Sequence, residues 1–111
     1  MIRVAIKPLS VNEAYKGRHF PTVKLTAYKE TLSYLLPKMA IPAGRLSVSY
    51  IFGLSSKSAD ADNCVKAFTD ALCRRYGFDD RMIFRFEVEK RIVPKGKEFA
   101  EFEIKTFDPK Q

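Results

Sequence analysis

Four stretches of the chain alternate apolar and polar residues, which is the pattern of strands that bury one face. They cover residues 2–6, 46–52, 82–88 and 100–104. Pro8 lies just beyond the first stretch and is expected to end that strand, because proline cannot donate a hydrogen bond to a strand ladder. The chain is therefore predicted to form a sheet from four strands.

Two further stretches space their apolar residues three and four apart, as amphipathic helices do. The first covers residues 25–36 and ends before Pro37, since a proline disfavours helical geometry in the residue that precedes it. The second covers residues 60–75, with Ser58 or Asp60 as its candidate N-cap and Gly77 as its expected terminator.

The predicted order of elements is β-α-β-α-β-β, within one domain that covers residues 1–111. Residues 8–23 carry two prolines and a glycine without a clear period, so they are predicted to form a long loop. The turn at residues 94–97 is predicted to join the last two strands as an antiparallel hairpin. The expected fold class is therefore α+β, with a mixed sheet and both helices on one face.

Positive charge is concentrated in the first part of the chain. The 111 residues carry a net charge of +7, and residues 1–45 alone hold eight basic and two acidic residues. Such an excess attracts polyanions through Coulomb forces and counterion release. A basic surface could equally serve only to keep the protein in solution, so charge by itself does not establish DNA binding.

The two cysteines, Cys64 and Cys73, lie in the same predicted helix. At about 1.5 Å per residue, their Cα atoms would be roughly 13 Å apart, whereas a disulfide requires less than about 7 Å. They are expected to be free thiols, as in a reducing compartment. The sequence shows no membrane-spanning run and no signal peptide, so a cytoplasmic location and no membrane partner are expected.

Acidic residues flank the second predicted helix. Asp60 and Asp62 stand at its start, Lys66 follows one turn later, and Asp79 and Asp80 come after its end. Mg²⁺ prefers oxygen ligands and activates water for phosphodiester hydrolysis, and a nearby lysine balances negative charge in the transition state. Each acid also has an ordinary structural explanation, as a helix cap, a first-turn acid or part of a polar turn.

The length of the helix separates these acids along the chain. A helix of about 15 residues spans roughly 22 Å, so Asp80 would leave its far end. Asp80 could join Asp60 only if the next strand runs back alongside the helix, or if a second subunit brings the two together.

The segment from Asp60 to Asp80 resembles a known family signature. DADN (residues 60–63), Lys66 and DAL (residues 70–72), followed by GFDD (residues 77–80), are similar to motifs of the RusA family of Holliday junction resolvases. PLSVN (residues 8–12) and Tyr15 resemble the N-terminal segment of that family. The similarity covers nearly the whole chain. The chain departs from the pattern at Ala61, where a larger apolar residue is common, and before Asp60, where Lys57 stands in place of several arginines.

The resemblance implies a homodimeric endonuclease that cuts four-way DNA junctions symmetrically and depends on Mg²⁺, with Mn²⁺ as an alternative. It implies that Asp60, Asp62 and Asp80 are the metal ligands and that Lys66 is the catalytic lysine. Asp79 remains open as the alternative to Asp80. Asp70, which matches the helix motif, is interpreted as a structural side chain that fixes the helix to a loop. The family also suggests a bacterial or phage source.

Basic residues of the front loop and of the loop before Asp60 are the predicted phosphate contacts. They are Lys16, Arg18, Lys24 and Lys57. Lys95 and Lys97 are weaker candidates, and His19 is interpreted as a surface histidine.

The aromatic residues have two interpretations. Tyr15 and Phe20 could stack on DNA bases, but packing of the front loop against the domain is the favoured interpretation. Four phenylalanines are expected in the core or in a subunit interface, since nine Phe exceed the needs of a small core. They are Phe84, Phe86, Phe99 and Phe102.

Two other functions stay open. In a non-catalytic DNA-binding dimer, the acids would only cap helices while the basic face binds structured DNA. A nucleotidyl- or glycosyl-transferring enzyme could use the D-x-D motif for its metal, but the sequence offers no glycine-rich phosphate loop to support it.

Overall fold

The structure, a computed structural model, describes residues 1–17 and 20–110. The front half contains strand β1 (Ile2–Val4), helix α1 (Val11–Ala14), the short strands β2 (Tyr15–Lys16) and β3 (Phe20–Pro21), and helix α2 (Val23–Leu35). The back half contains strand β4 (Leu46–Leu54), helix α3 (Val65–Tyr76), and strands β5 (Ile83–Ile92) and β6 (Phe99–Thr106). The expected single-domain α+β fold with a mixed sheet is confirmed.

The prediction of a long loop at residues 8–23 is wrong. This segment contains α1 and a two-stranded hairpin in which Tyr15 pairs with Pro21 and Lys16 pairs with Phe20. Elements of two to four residues are too short to show a periodic pattern, so they could not be predicted from the sequence. Arg18 and His19, which were predicted as a DNA contact and a surface residue, lie outside the described residues.

The four main strands have the order β1-β6-β4-β5. β4 pairs in parallel with β5 and antiparallel with β6, and β1 pairs antiparallel with β6. The last two strands therefore run in opposite directions, as expected, but β4 lies between them and they do not form a direct hairpin. β4 is buried along almost its whole length, which suits the central position.

Both helices end within one residue of the predicted position, but α3 begins five residues later than predicted, after a 3₁₀ turn at Ala61–Cys64. Thr22 caps α2, because its side-chain oxygen accepts a hydrogen bond of 3.3 Å from the backbone N–H of Leu25. Leu36, directly before Pro37, has extended backbone and ends that helix. Gly77 ends α3 with a φ of 70°, a left-handed conformation that glycine adopts at no steric cost.

The core lies between the sheet and the two long helices. Phe68 of α3 is fully buried, and its ring packs edge-on against Tyr50 and Phe52 of β4, at centroid distances of 5.2 and 5.7 Å. Phe102 of β6 lies 5.8 Å from the same ring. The other face of the sheet carries charged pairs such as Arg3 with Glu101, so both helices pack on one face, as expected.

Phe102 is buried in the core, as predicted, and Phe99 is buried on the outer face of the sheet over Gly53, whereas Phe84 and Phe86 of β5 are exposed. β5 is the edge strand of the sheet. Its residues Phe86, Val88 and Ile92 lie on the same face of the sheet as the helices. The helices do not reach far enough to cover them, so they are partly exposed. The helix layer therefore leaves an apolar strip uncovered on β5, which Lys90 interrupts between Val88 and Ile92.

Both cysteines are free thiols, as expected, and Cys64 is buried. Burial raises the pKa of the Cys64 thiol to about 11, so this side chain behaves as a small neutral core residue. Within residues 1–17 and 20–110, no helix is both long and apolar enough to cross a membrane.

Candidate active site

Asp60 stands at the junction between the loop after β4 and a single 3₁₀ turn that leads into α3. Its backbone is extended, with φ of −92° and ψ of 120°, and its carbonyl accepts a hydrogen bond of 3.2 Å from the N–H of Asn63. Its carboxylate makes no capping hydrogen bond. The interpretation of Asp60 as a side-chain helix cap is therefore wrong, and the carboxylate is free for another role.

Asp62 lies in the first turn after this junction and is exposed. Within the part of the chain that the structure describes, neither Asp60 nor Asp62 forms an ion pair. Two exposed carboxylates of one sign, two residues apart, repel each other unless a cation lies between them. The helix dipole favours an acid such as Asp62 in this first turn, but it does not account for the free carboxylate of Asp60, so the pair is a candidate ligand for a cation.

Asp60 lines a polar groove with a volume of about 390 Å³. The groove separates the segment after β1 from the loop after β4, and its lining includes side chains from both. Among them are Lys7, Ser10, Asn12, Asn63 and Glu98. The residues 8–12 that resemble the family segment therefore lie against the same cavity as the first aspartate.

Lys66, the predicted catalytic lysine, is the second residue of α3 and is exposed. Its ammonium group is 3.7 Å from the Asp70 carboxylate and 5.2 Å from the centre of the Tyr15 ring. Tyr15 donates a hydrogen bond of 2.8 Å to the same carboxylate. The interpretation of Asp70 as a side chain that fixes the helix to the front segment is confirmed.

Burial, together with the neighbouring Asp70 carboxylate, raises the pKa of Tyr15 to about 12. The phenol is therefore protonated at neutral pH and serves as a hydrogen-bond donor to Asp70. Tyr15 packs partly against the core, which confirms the packing interpretation for this residue.

The structure distinguishes the two acids after α3. Asp79 caps a short 3₁₀ turn and accepts hydrogen bonds from Arg81, at 2.9 Å from its backbone N–H and 3.1 Å from its side chain. These bonds, the backbone one first, lower the pKa of Asp79. Asp80 forms no ion pair with any described residue and lines a small cavity of about 240 Å³ together with Lys66 and Asp70. Asp80 is therefore the freer ligand of the two.

A single chain does not bring the three predicted metal ligands together. Among residues 1–17 and 20–110, no group of three or more His, Cys, Asp or Glu side chains is close enough to hold a metal ion. Asp60 and Asp62 precede α3 and Asp80 follows it, so the helix separates them. β5 does run back alongside α3, which is the first of the two arrangements that could bring Asp80 to Asp60. Even so, Asp80 does not join the other two aspartates within one chain.

No protein-family model matches this chain, and no curated protein is significantly similar to it. The functional interpretation therefore depends on the residues themselves and on the resemblance to the RusA family motifs.

The predicted DNA contacts that the structure describes are all exposed: Lys16, Lys24 and Lys57. Lys16 belongs to the hairpin, and Lys24 lies in the first turn of α2, where its ammonium group is 3.6 Å from Glu13. Lys57 lies in the loop that precedes Asp60. These three lysines remain predictions as DNA contacts.

Sequence reasoning missed Lys90, which holds the loop before Asp60. This β5 side chain donates hydrogen bonds to two backbone carbonyls of that loop, at 3.1 Å to Lys57 and 2.7 Å to Ala59. A charged residue in an alternating strand is usually solvated, so the sequence held no signal for this contact. The parallel pairing of β4 with β5 is what brings Lys90 beside the loop.

Proposed function

We propose that this protein is a Mg²⁺-dependent endonuclease that resolves four-way DNA junctions by paired symmetric cuts. The observation that carries the proposal is the pair of exposed carboxylates of Asp60 and Asp62, which have no ion-pair partner among the described residues. They lie in a chain of net charge +7, and Asp60 lines a groove together with residues that resemble the family's N-terminal segment.

The residues present fit a hard divalent cation. Mg²⁺ is commonly held by one or two protein carboxylates, with water and substrate phosphate completing its shell, and Asp60 and Asp62 offer this donor set. When bound, the metal would polarise the phosphoryl group and activate the attacking water. Lys66 would place its ammonium charge near the phosphate, and Asp70 and Tyr15 hold this side chain in position.

A homodimer is part of this proposal, and β5 is its proposed interface. An edge strand with unpaired backbone groups and exposed apolar residues is a template for pairing with another strand. On its opposite face, β5 alternates Arg85, Glu87, Glu89 and Arg91. Antiparallel pairing of two copies of β5 permits registers in which an arginine of one copy lies opposite a glutamate of the other.

The same pairing supports a role for Asp80. Lys90, near the end of β5, holds the loop that leads to Asp60, whereas Asp80 lies just before the start of β5. In an antiparallel pair the start of one strand lies beside the end of the other. The partner's Asp80 would therefore approach Asp60 and Asp62, which a single chain does not achieve.

Val88→Lys is expected to convert the dimer to a monomer, because it places a charge at the centre of the apolar strip on the proposed interface. Sedimentation equilibrium measures this: wild type should have twice the chain mass of 12.7 kDa, and the variant should have the mass of one chain. Tyr34→Lys, at an exposed aromatic residue of α2, is the matched control and should remain dimeric. A monomeric wild type at high concentration would contradict the proposed dimer.

Lys90→Met is expected to lower the rate of junction cleavage about tenfold, because small displacements of catalytic groups are costly. Methionine keeps the apolar stem and removes both hydrogen bonds to the loop before Asp60. Single-turnover cleavage and junction binding are measured together, and binding should change little. Lys105→Met, which removes an exposed lysine that contacts Glu103, is the control. Equal cleavage rates for both variants would show that the hydrogen bonds from Lys90 are not needed to position the loop before Asp60.

The test of the function uses a four-way junction with each strand labelled in turn. In Mg²⁺, wild type is expected to nick two opposite strands at symmetric positions and to leave a linear duplex of the same sequence intact. Binding without nicks would favour the second candidate, a non-catalytic DNA-binding dimer.

A further inference from the structure

The hairpin formed by β2 and β3 presents an aromatic ring to solvent. Phe20 is 74% exposed, which shows that the predicted packing of this residue against the domain is wrong. Its neighbour Tyr15 on the other strand is partly buried and hydrogen-bonded to Asp70. The two aromatic residues of the front segment thus have different roles, and only Tyr15 contributes to folding.

The surroundings of Phe20 make it more than an isolated exposed residue. Val23, at the start of α2 three residues along the chain, is also exposed, at 86%. Lys16 is directly opposite Phe20 in the hairpin, and residues so paired project from the same face. Lys24 follows in the first turn of α2 and is also exposed. An aromatic ring flanked by lysines is the combination with which proteins bind unpaired nucleotides.

The hairpin is tied to the candidate active site. Tyr15, the first residue of β2, donates its hydrogen bond to Asp70 of α3, and Asp70 contacts Lys66. The exposed ring is therefore carried by a short hairpin whose base is fixed to the helix that bears the proposed catalytic lysine. A DNA strand at Lys66 would pass close to this hairpin.

We propose that Phe20 is a stacking platform for a nucleobase at the branch point of the bound DNA. In a linear duplex every base is stacked on its neighbours, whereas strands exchange at a branch point and bases there can lose a stacking partner. The Phe20 ring would replace that partner, and Lys16 and Lys24 would contact the adjacent phosphates. This inference rests on the branched DNA substrate of the proposed function, but it does not require cleavage.

The experiment measures binding and base stacking without metal, so that cleavage plays no part. A four-way junction with 2-aminopurine at the branch point, and a linear duplex with the same label, are titrated with wild type, Phe20→Ala, Phe20→Trp and Tyr34→Ala. Tyr34 is 83% exposed near the other end of α2, so it is a matched exposed aromatic residue. Sedimentation of each variant is recorded in parallel.

Phe20→Ala is expected to weaken junction binding about 5- to 100-fold and to abolish the change in 2-aminopurine fluorescence, since stacking on an aromatic side chain contributes at this level. Phe20→Trp should restore both, Tyr34→Ala should match wild type, and duplex binding should be unaffected.

Several results would overturn the inference. Unchanged junction binding and fluorescence in Phe20→Ala would do so, as would a loss of dimer in that variant, which would make Phe20 a subunit contact. A wild type that does not bind the junction would overturn both this inference and the proposed function. Phe20-dependent binding by a wild type that never cleaves would overturn the nuclease alone and leave the stacking platform in place.

Discussion

Asp62→Asn is expected to lower junction cleavage by about 100- to 1000-fold, because a metal ligand contributes several kcal/mol of transition-state stabilisation. Asparagine has the same shape and lacks the charge that holds a cation. The side chain is exposed and has no ion pair in the described part of the chain, so folding should be unaffected. Junction binding should be retained or become tighter, since a negative charge beside the phosphates is removed.

The control for this prediction is Asp79→Asn. Asp79 is also an exposed acid near the candidate site, but Arg81 occupies its carboxylate. Its replacement should alter cleavage only slightly. Single-turnover cleavage and gel-shift binding of both variants separate catalysis from affinity. An Asp62→Asn variant that cleaves at the wild-type rate would show that Asp62 has no part in cleavage and only stabilises the start of the helix.

Phe68→Ala is expected to destabilise the domain by about 3–5 kcal/mol, the usual loss for removing a fully buried phenylalanine. The ring is fully buried and packs edge-on against Tyr50, Phe52 and Phe102. The alanine would leave a cavity where three elements meet. A domain of this size has a total stability of about 5–15 kcal/mol, so the variant would be close to unfolding.

Urea unfolding followed by circular dichroism measures this loss. Phe20→Ala, at an exposed position of the same residue type outside the proposed dimer interface, should cost less than about 1 kcal/mol and is the matched control. Phe68→Ala could instead lose less than about 1.5 kcal/mol while the slope of its unfolding free energy against urea concentration is unchanged. That result would mean that the surrounding core relaxes and fills the cavity.

The long elements could be predicted from the sequence because their apolar residues repeat over several turns or several alternations. Proline and glycine ended the helices where expected, at Pro37 and Gly77. Helix α1 and the short strands β2 and β3 could not be predicted, because two to four residues give no period. The exposure of Phe20 could not be predicted for the same reason, since its element was unknown.

The order of the strands could not be predicted from alternation either. β4 carries serine at positions 47 and 49 and glycine at 53, which resembles a strand with one solvated face. It is nevertheless buried on both sides, and Phe99 covers Gly53 on the outer face. Parallel pairing of β4 with β5 depends on the α3 crossover, and no local pattern encodes it.

The acids of the candidate site could be found from the sequence, but their arrangement could not. Residue type and spacing singled out Asp60 and Asp62, whose carboxylates form no ion pair with a described residue. The interactions that surround them depend on contacts between distant segments, such as Tyr15 with Asp70 and Lys90 with the loop before Asp60. Such contacts follow from tertiary packing and leave no periodic signal in the chain.

The most direct test of the nuclease proposal adds metal to a preformed complex. Wild type is first bound to a labelled four-way junction in EDTA, and complete binding is checked by gel shift. Excess Mg²⁺ is then added, and the strands are separated over time. Paired symmetric nicks are expected to begin only when Mg²⁺ is added and to be absent with Asp62→Asn. Junction strands that stay uncut after Mg²⁺ or Mn²⁺ is added would contradict the nuclease proposal and would favour a DNA-binding protein without catalytic activity.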